Sequence, residues 1–336
     1  MTPRPRTLIV GAGLAAAAVV LPAAPAAADP PAPGDYSSEV TAIEPAVDTV
    51  TIEVVGGDSF LLLEVEPGTE VVVIGYDDEP FVRVQADGTV EQNQSSTATY
   101  LNDDRYAEVT IPERLAGVDA SELEPEWEQV GTGGTYAWHD HRIHWMAPNA
   151  PPAVGRGGTF EWSGPVPLLV DGERVEVSGR IRYHEAVSPL PWIAGGLVAA
   201  AALGYALRGR SRAGAAVAAV VAAAATFVAW ETWDAAPSGV GASALPVVVA
   251  GLAVVLSVAS LAAPDRIRPV LLLAVTAILG AWGLLRFGVL TNPVLPTDLP
   301  FALDRAATVA AIAVAIAVGV SAMSAMAPPA PSTAEP

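Results

Sequence analysis

The chain has 336 residues, of which 52% are hydrophobic and 16% are charged, and it contains no cysteine. The absence of cysteine excludes a disulfide framework, a thiolate nucleophile and a cysteine zinc site. Every basic residue is an arginine, which excludes Schiff-base chemistry and a phosphate-binding lysine of the Walker type. Residues 29–190 hold 30 of the 36 acidic residues but only 8 of the 17 arginines, for a formal charge of −22. This charge repels nucleic acid and is typical of a solvated surface, so we expect no nucleic-acid partner.

The first 28 residues have the three parts of a secretory signal peptide. Two arginines precede an apolar segment over residues 8–21, and three alanines at 26–28 form a small-residue cleavage site. Cleavage there makes Asp29 the first residue of the mature chain. The sequence therefore predicts that the acidic segment is exported.

Residues 29–188 are predicted to form an all-β exported domain. Val50–Val55 alternates polar and β-branched residues, and Phe60–Val65 follows after a glycine turn. The pairs Asp87-Gly88 and Asp171-Gly172 are hairpin signals between apolar runs. Short strands at close spacing favour an antiparallel sandwich, and immunoglobulin-like and cupredoxin-like topologies both fit.

Residues 189–326 are predicted to form a membrane domain of about five transmembrane helices. Each apolar run is close to the ~20 residues that cross the hydrocarbon core of a bilayer. The runs cover 191–207, 213–230, 240–263, 270–287 and 306–326.

The connections between these runs predict the orientation of the chain. Arginines cluster after the first and third runs, whereas the other two connections are acidic or nearly neutral. Arginine-rich connections lie in the cytoplasm, so we expect a multi-pass cell-membrane protein with an extracytoplasmic β domain and a cytoplasmic C-terminus. The proline-rich residues 327–336 are expected to form a disordered cytoplasmic tail.

The residues with metal-binding chemistry are concentrated in the segment 138–146. Three of the chain's four histidines, His139, His141 and His144, lie within six positions, and Met146 is the only methionine of the exported domain. Imidazole binds copper, zinc and nickel, while a thioether is a soft ligand that suits copper(I). A site of both types without thiols indicates copper ahead of zinc, with these four residues as candidate ligands.

Strand geometry leaves several arrangements of these ligands open. In a flat strand His139 and His141 share one face, while His144 and Met146 share the opposite parity. A bulge or turn between the pairs would bring all four to one ion, and two separate two-ligand sites are an alternative. His184 is either a remote fourth ligand or, as we prefer for this residue alone, a structural histidine. The cluster itself has two further interpretations, a hydrogen-bonded sandwich rim and a pH sensor.

Three runs of the sequence resemble a family of uncharacterised actinobacterial membrane proteins with an exported N-terminal domain. These runs are Val55–Phe60, Tyr100–Asn102 and Tyr136–Met146. More loosely, His144-Trp145-Met146 is similar to the His-x-Met element of periplasmic copper chaperones of the PCuAC type. The layout also resembles fusions of a CopC-like β domain to CopD-like helices, although Asp29 stands where a CopC-like domain has an N-terminal histidine. These resemblances imply copper handling outside the cytoplasm.

Two functions from different classes follow from the sequence. The first is a membrane-anchored copper-binding or copper-delivery protein, with the metal ion and the bilayer as its partners. The alternative is a metal-free cell-surface interaction or sensory module, whose helices anchor it or dock another membrane or surface protein. We do not expect an enzyme, because Ser59, Ser95 and Ser96 lie outside any nucleophile-elbow pattern. We also do not expect transport, because no histidine lies in a span and the ionisable residues lie near helix ends.

Overall fold

The computed structural model of the protein describes residues 30–147 and 149–326. The predicted signal peptide (1–28) and the predicted disordered tail (327–336) therefore lie outside the described residues. The N-terminal part is made of strands, and the C-terminal part of helices. The strands are β1 (Tyr36–Glu44), β2 (Val50–Val55), β3 (Phe60–Val65), β4 (Val71–Ile74), β5 (Pro80–Val84), β6 (Val90–Asn93), β7 (Trp127–Gly131), β8 (Thr135–Trp138), β9 (Thr159–Glu161), β10 (Val166–Val170) and β11 (Glu173–Tyr183). A short helix α1 (Ala98–Leu101) and a 3₁₀ turn (Ala120–Glu122) interrupt them.

The strands form two antiparallel sheets around one core, which confirms the predicted all-β fold class. The larger sheet has the order β1-β11-β10-β4-β5-β6-β7, with β9 paired to β11, and the smaller has the order β2-β3-β8. Alternate residues of both sheets point into a shared core, in which Leu61 and Leu63 of β3 meet Val73 of β4 and Val82 of β5. Ile143, from the loop after β8, is fully buried in the same core. The histidine segment is thus joined to the domain interior.

Both predicted hairpin signals lie at hairpin turns. Asp171 and Gly172 have φ values of 48° and 84°, and they connect β10 to β11. Gly88 has a φ of 84° between β5 and β6. Backbone of this left-handed kind is readily adopted by glycine and tolerated by aspartate, which explains why these dipeptides mark the turns.

All five predicted apolar runs are helical. Four of the helices are long and apolar enough to cross a membrane, and the fifth, which directly follows the β domain, is shorter at 17 residues. At 1.5 Å per residue this helix spans about 25 Å, somewhat less than the ~30 Å hydrocarbon core. The helices are α2 (Leu190–Ala206), α3 (Ser211–Asp234), α4 (Leu245–Ala262), α5 (Arg268–Leu285), the short α6 (Gly288–Thr291) and α7 (Phe301–Met326).

The helices pack through small residues, and α7 is central. Ala218, Ala222 and Ala250 are fully buried, and α7 packs against α2, α3 and α5. Close approach of helix backbones through alanine is the usual mode of packing in membranes, where burial of apolar surface between helices gains little. The β domain meets the bundle where Gly34 and Val294 exchange backbone hydrogen bonds of 3.0 and 3.1 Å.

The β1–β11 pair depends on a glycine that leaves room for a tryptophan. An added Cβ at Gly179 would lie 2.2 Å from the Trp162 ring and 2.4 Å from the backbone oxygen of Glu39. Gly179→Ala is therefore expected to destabilise the β domain by about 1–3 kcal/mol, because an overpacked core must shift its backbone. Urea unfolding of the full chain in detergent, followed by tryptophan fluorescence, measures this loss. The control Gly164→Ala has nothing within 4 Å of the new Cβ and should unfold like the wild type. Equal loss in both variants would contradict the packing argument.

Candidate metal centre

The histidine segment begins where a strand ends. Strand β8 pairs with β3, with Trp138 opposite Leu61, and the chain leaves the sheet immediately after Trp138. Ile143 then donates its backbone N–H to the Asp140 carbonyl at 3.1 Å, which closes a turn. The four candidate ligands thus lie in or beside a turn and not along a flat strand. The alternation of side chains between the two faces of a strand therefore does not determine where they point.

The turn is held by the buried carboxylate of Asp140, which has no exposed surface. It accepts hydrogen bonds from Trp138 Nε1 at 3.0 Å and from the backbone N–H of Arg142 at 3.0 Å. The Arg142 guanidinium adds two more, from Nε at 2.8 Å and from Nη2 at 2.7 Å. Burial alone would raise the pKa of this carboxyl, but the charge and hydrogen bonds of Arg142 hold the pKa below its usual value. Asp140 is therefore a charged structural anchor and not a free metal ligand.

His139 is tied into the domain interior. Its side chain is 1% exposed, and its ring stacks on Phe60 with centroids 4.2 Å apart. Its Nδ1 atom lies 2.5 Å from the carbonyl oxygen of Ser59. Because a carbonyl only accepts, the Nδ1 atom carries a proton and donates it to this bond.

His141 is held by two contacts from other loops. Its Nε2 atom donates to the backbone carbonyl of Asp104 at 3.0 Å, and its ring stacks on Tyr76 with centroids 5.6 Å apart. The lone pair of neutral His141 is therefore on Nδ1. A histidine whose second ring nitrogen donates to a backbone carbonyl has the orientation that metal ligands usually have.

His144 is the unusual member of the cluster. It is 3% exposed, yet among the residues that the structure describes neither of its ring nitrogens has a hydrogen-bond partner. Its ring lies edge-on to His141, with centroids 5.6 Å apart and planes at 86°, and edge-on to Tyr106 at 6.5 Å. Burial, with the nearby positive charge of Arg105, lowers the pKa of His144 to about 3. A buried imidazole that stays neutral and unpaired has its lone pair available for a metal ion.

The pair His141 and His144 is spaced as two ligands of one ion would be. A metal–nitrogen bond is about 2.0 Å, so two imidazoles on one ion have ring centroids roughly 4.5–6 Å apart. The observed 5.6 Å lies in that interval. In the described residues no group of three or more histidine, aspartate or glutamate side chains is arranged to hold a metal ion. The structure thus brings two of the predicted ligands, His141 and His144, together. His139 lies beside this pair and is bonded to the Ser59 carbonyl, and Met146 is partly buried beyond the turn.

Several residues that support the cluster have no sequence signal. Asp58 and Arg105, 47 positions apart, form a buried ion pair of 2.6 Å beside the histidines. Burial raises the pKa of Asp58, and the adjacent Arg105 opposes this shift. The Asp104 carbonyl that orients His141 is a backbone atom, which no side-chain pattern can reveal. The sequence predicts a turn at Gly57-Asp58, but it does not predict the ion pair between Asp58 and Arg105.

A cavity of about 530 Å³ adjoins the cluster at His139, and neither His141 nor His144 lines it. Its wall includes Asp58, Arg105, Tyr106, His139 and Trp145. The ion pair between Asp58 and Arg105 leaves this wall with little net charge from its buried groups.

His184, the fourth histidine, has a different environment. Its Nε2 atom lies 2.7 Å from the hydroxyl of Ser37 on β1, and the side chain is only partly buried. This bond is consistent with the structural role that we prefer for His184.

Comparison of the chain with protein-family models, with curated proteins and with solved structures found no match.

We expect Asp140→Asn to destabilise the β domain by about 3–5 kcal/mol, because it leaves the buried Arg142 guanidinium without its anion. Urea unfolding of the full chain in detergent measures the loss. The control Glu176→Gln removes the anion of an exposed pair with Arg174 and should change stability by less than about 1 kcal/mol. If Asp140→Asn unfolded at the wild-type midpoint, the anchor role of Asp140 would be wrong.

The depressed pKa of His144 predicts a loss of stability in acid. The unfolded chain binds a proton at His144 below a pKa of about 6.5, whereas the folded chain binds it only near 3. Stability is therefore unaffected above pH 6.5 and falls as the pH drops from 6.5 towards 3, by up to about 1.4 kcal/mol per pH unit. His144→Phe, which does not titrate, should show a flatter profile of unfolding free energy between pH 6 and 4.

His184→Gln is the control for this profile, because it removes a partly buried imidazole outside the cluster. It should keep most of the wild-type slope. A slope in His144→Phe as steep as that of the wild type would show that His144 does not carry the acid sensitivity.

Proposed function

We propose that the chain is a membrane-anchored copper-binding protein that holds copper(I) outside the cytoplasm between His141 and His144. One observation carries the proposal. His144 is buried beside His141 with both ring nitrogens unpaired among the described residues, at the spacing that two ligands of one ion require. Leaving a buried polar group unpaired costs about 1–3 kcal/mol, which a bound ion would recover.

The coordination chemistry supports copper(I) ahead of zinc. Structural zinc takes four ligands and catalytic zinc takes three protein ligands, whereas the described residues assemble no group of three. Copper(I) accepts fewer ligands and favours soft ones, such as the thioether of Met146. Two imidazoles with one sulfur therefore match copper(I) better than they match zinc.

The local charges also suit a monovalent ion. The Asp58 carboxylate is paired with Arg105, and the Asp140 carboxylate with Arg142. Oxygen ligands that a hard divalent cation would need are thus engaged with arginine.

The other two predicted ligands, Met146 and His139, have secondary roles in this proposal. Met146, two residues after His144, is the proposed third ligand. His139 lies beside the site in a supporting position, with its Nδ1 atom bonded to the Ser59 carbonyl. The copper ion is the only cofactor that we propose, and we propose no enzymatic activity.

The topology of the proposed protein follows the arginine distribution. The β domain is extracytoplasmic, the arginine-rich helix connections and the C-terminus are cytoplasmic, and residues 1–28 direct export. The helices anchor the domain in the cell membrane. A second membrane or surface protein would receive or supply the ion.

A metal-free interaction or sensory module is the second candidate function. All three histidines have aromatic packing partners, since His139 stacks on Phe60, His141 stacks on Tyr76 and His144 lies edge-on to Tyr106. In this alternative the histidines stabilise the surface that another membrane or surface protein recognises. It predicts that copper is not bound above the level of a variant without the cluster.

The test is copper(I) binding by the full chain in detergent, measured by competition with a chromophoric copper(I) chelator. We expect one high-affinity copper(I) ion per chain and much weaker binding of zinc(II). His144→Ala and His141→Ala should each weaken copper(I) binding at least tenfold, because each variant lacks one of the two imidazoles that hold the ion. Met146→Leu should weaken it less.

His184→Ala is the matched control, since it removes an imidazole that lies outside the cluster and bonds to Ser37. It should bind copper(I) like the wild type. If His144→Ala binds copper(I) as tightly as this control, the copper function is wrong and the metal-free module takes its place.

A further inference from the structure

A second cavity, of about 770 Å³, lies between helices α2 and α7 at the end of the bundle away from the β domain. One side of it is apolar and includes Leu197 and Ile316, which are 60% and 46% exposed. Its other end carries Tyr205 and Arg208. None of the described residues along its wall is acidic. The cavity is therefore long, apolar at one end and cationic at the other.

Small residues create this space. An added Cβ at Gly204 would meet only the Cα of Ala317, at 3.9 Å, so the two helices leave a gap there. Helix α2 packs chiefly against α7. The face of α2 that is not covered by α7 therefore adjoins the bilayer.

The length of the cavity matches one leaflet. Leu197 and Ala206, the last residue of α2, are nine positions apart, which is about 14 Å at 1.5 Å per residue, and Arg208 follows in the turn beyond. Half of the ~30 Å hydrocarbon core is about 15 Å. A lipid acyl chain lying along the apolar wall would thus place its headgroup at the level of Arg208.

The chain around Arg208 has a net positive charge. Arg208, Arg210 and Arg212 lie within five positions, and residues 186–230 contain no acidic residue. Arg208 makes no ion pair within the part of the chain that the structure describes, and its guanidinium lies over the Tyr205 ring at 5.3 Å. Its donors are available for an anion.

We propose that this cavity binds one anionic phospholipid, with the phosphate at Arg208 and Tyr205 and an acyl chain against Leu197 and Ile316. The guanidinium and the phenol hydroxyl supply the donors that phosphate oxygens accept. The apolar wall selects a lipid over free phosphate. Anionic headgroups in basic pockets between membrane helices are a recurring mode of lipid recognition.

Native mass spectrometry of the full chain in detergent tests the proposal by counting bound lipid. The probes are phosphatidylglycerol, phosphatidylcholine and inorganic phosphate. We expect one tightly bound phosphatidylglycerol, binding of phosphatidylcholine weaker by at least fivefold, and no effect of phosphate at equal concentration. Arg208→Ala should weaken phosphatidylglycerol binding roughly fivefold, the effect expected for one arginine at an anionic membrane surface.

Two matched pairs of variants distinguish lipid binding in the cavity from general electrostatic attraction to the helix bundle. Arg266→Ala removes an exposed arginine outside the cavity wall and should retain wild-type binding. Gly204→Leu keeps every charge but fills the gap, so it should lose binding, whereas Gly204→Ala should retain it.

Three results would overturn the proposal. Equal weakening by Arg266→Ala and Arg208→Ala would assign the effect to the surface charge of the bundle. Equal binding of phosphatidylcholine would remove the role of the anionic headgroup. Displacement of the lipid by phosphate, or wild-type binding by Gly204→Leu, would remove the role of the apolar wall.

Discussion

The buried carboxylate of Asp140 is the constraint on which the histidine cluster depends. The carboxylate has no exposed surface. It accepts hydrogen bonds from Trp138, at the end of β8, and from three donors of Arg142, in the turn that follows. These bonds bend the chain immediately after β8 and bring Ile143 into the sandwich core. Because the bend is fixed from inside, the residues on either side of it have little freedom. His141 and His144 are therefore held in fixed positions.

That rigidity explains how a costly arrangement persists at His144. A buried imidazole without a partner among the described residues lowers stability, and the neighbouring Arg105 makes its protonation still less favourable. An unconstrained loop would rotate such a side chain into water. Here the Asp140 turn and the buried pair of Asp58 and Arg105 prevent the rotation. A site that is held open before its ligand arrives binds with less reorganisation, which is the physical meaning of preorganisation.

Local patterns predicted the fold well, because its elements are specified by short stretches of sequence. The alternation in Val50–Val55 and Phe60–Val65 and the dipeptides at 87–88 and 171–172 lie where the strands and turns are found. The helical region was predicted with about five spans, of which four meet the length and hydropathy needed to cross a membrane. Hydropathy located α2 to within one residue at each end, and its 17 residues, which end at the Leu207–Gly209 turn, are fewer than those of the four membrane-length helices.

The candidate site was less predictable, because its geometry depends on contacts between distant residues. The scarcity and spacing of histidine located the segment, and a turn there was one of the options. The sequence did not reveal that His139 would stack on Phe60 while His144 stayed unpaired, since that difference arises from loops 37 to 80 positions away. Side-chain identity limits which chemistry is possible at a position. Which ring nitrogen carries the proton is decided by the backbone carbonyls that the fold places nearby, and for this cluster those belong to Ser59 and Asp104.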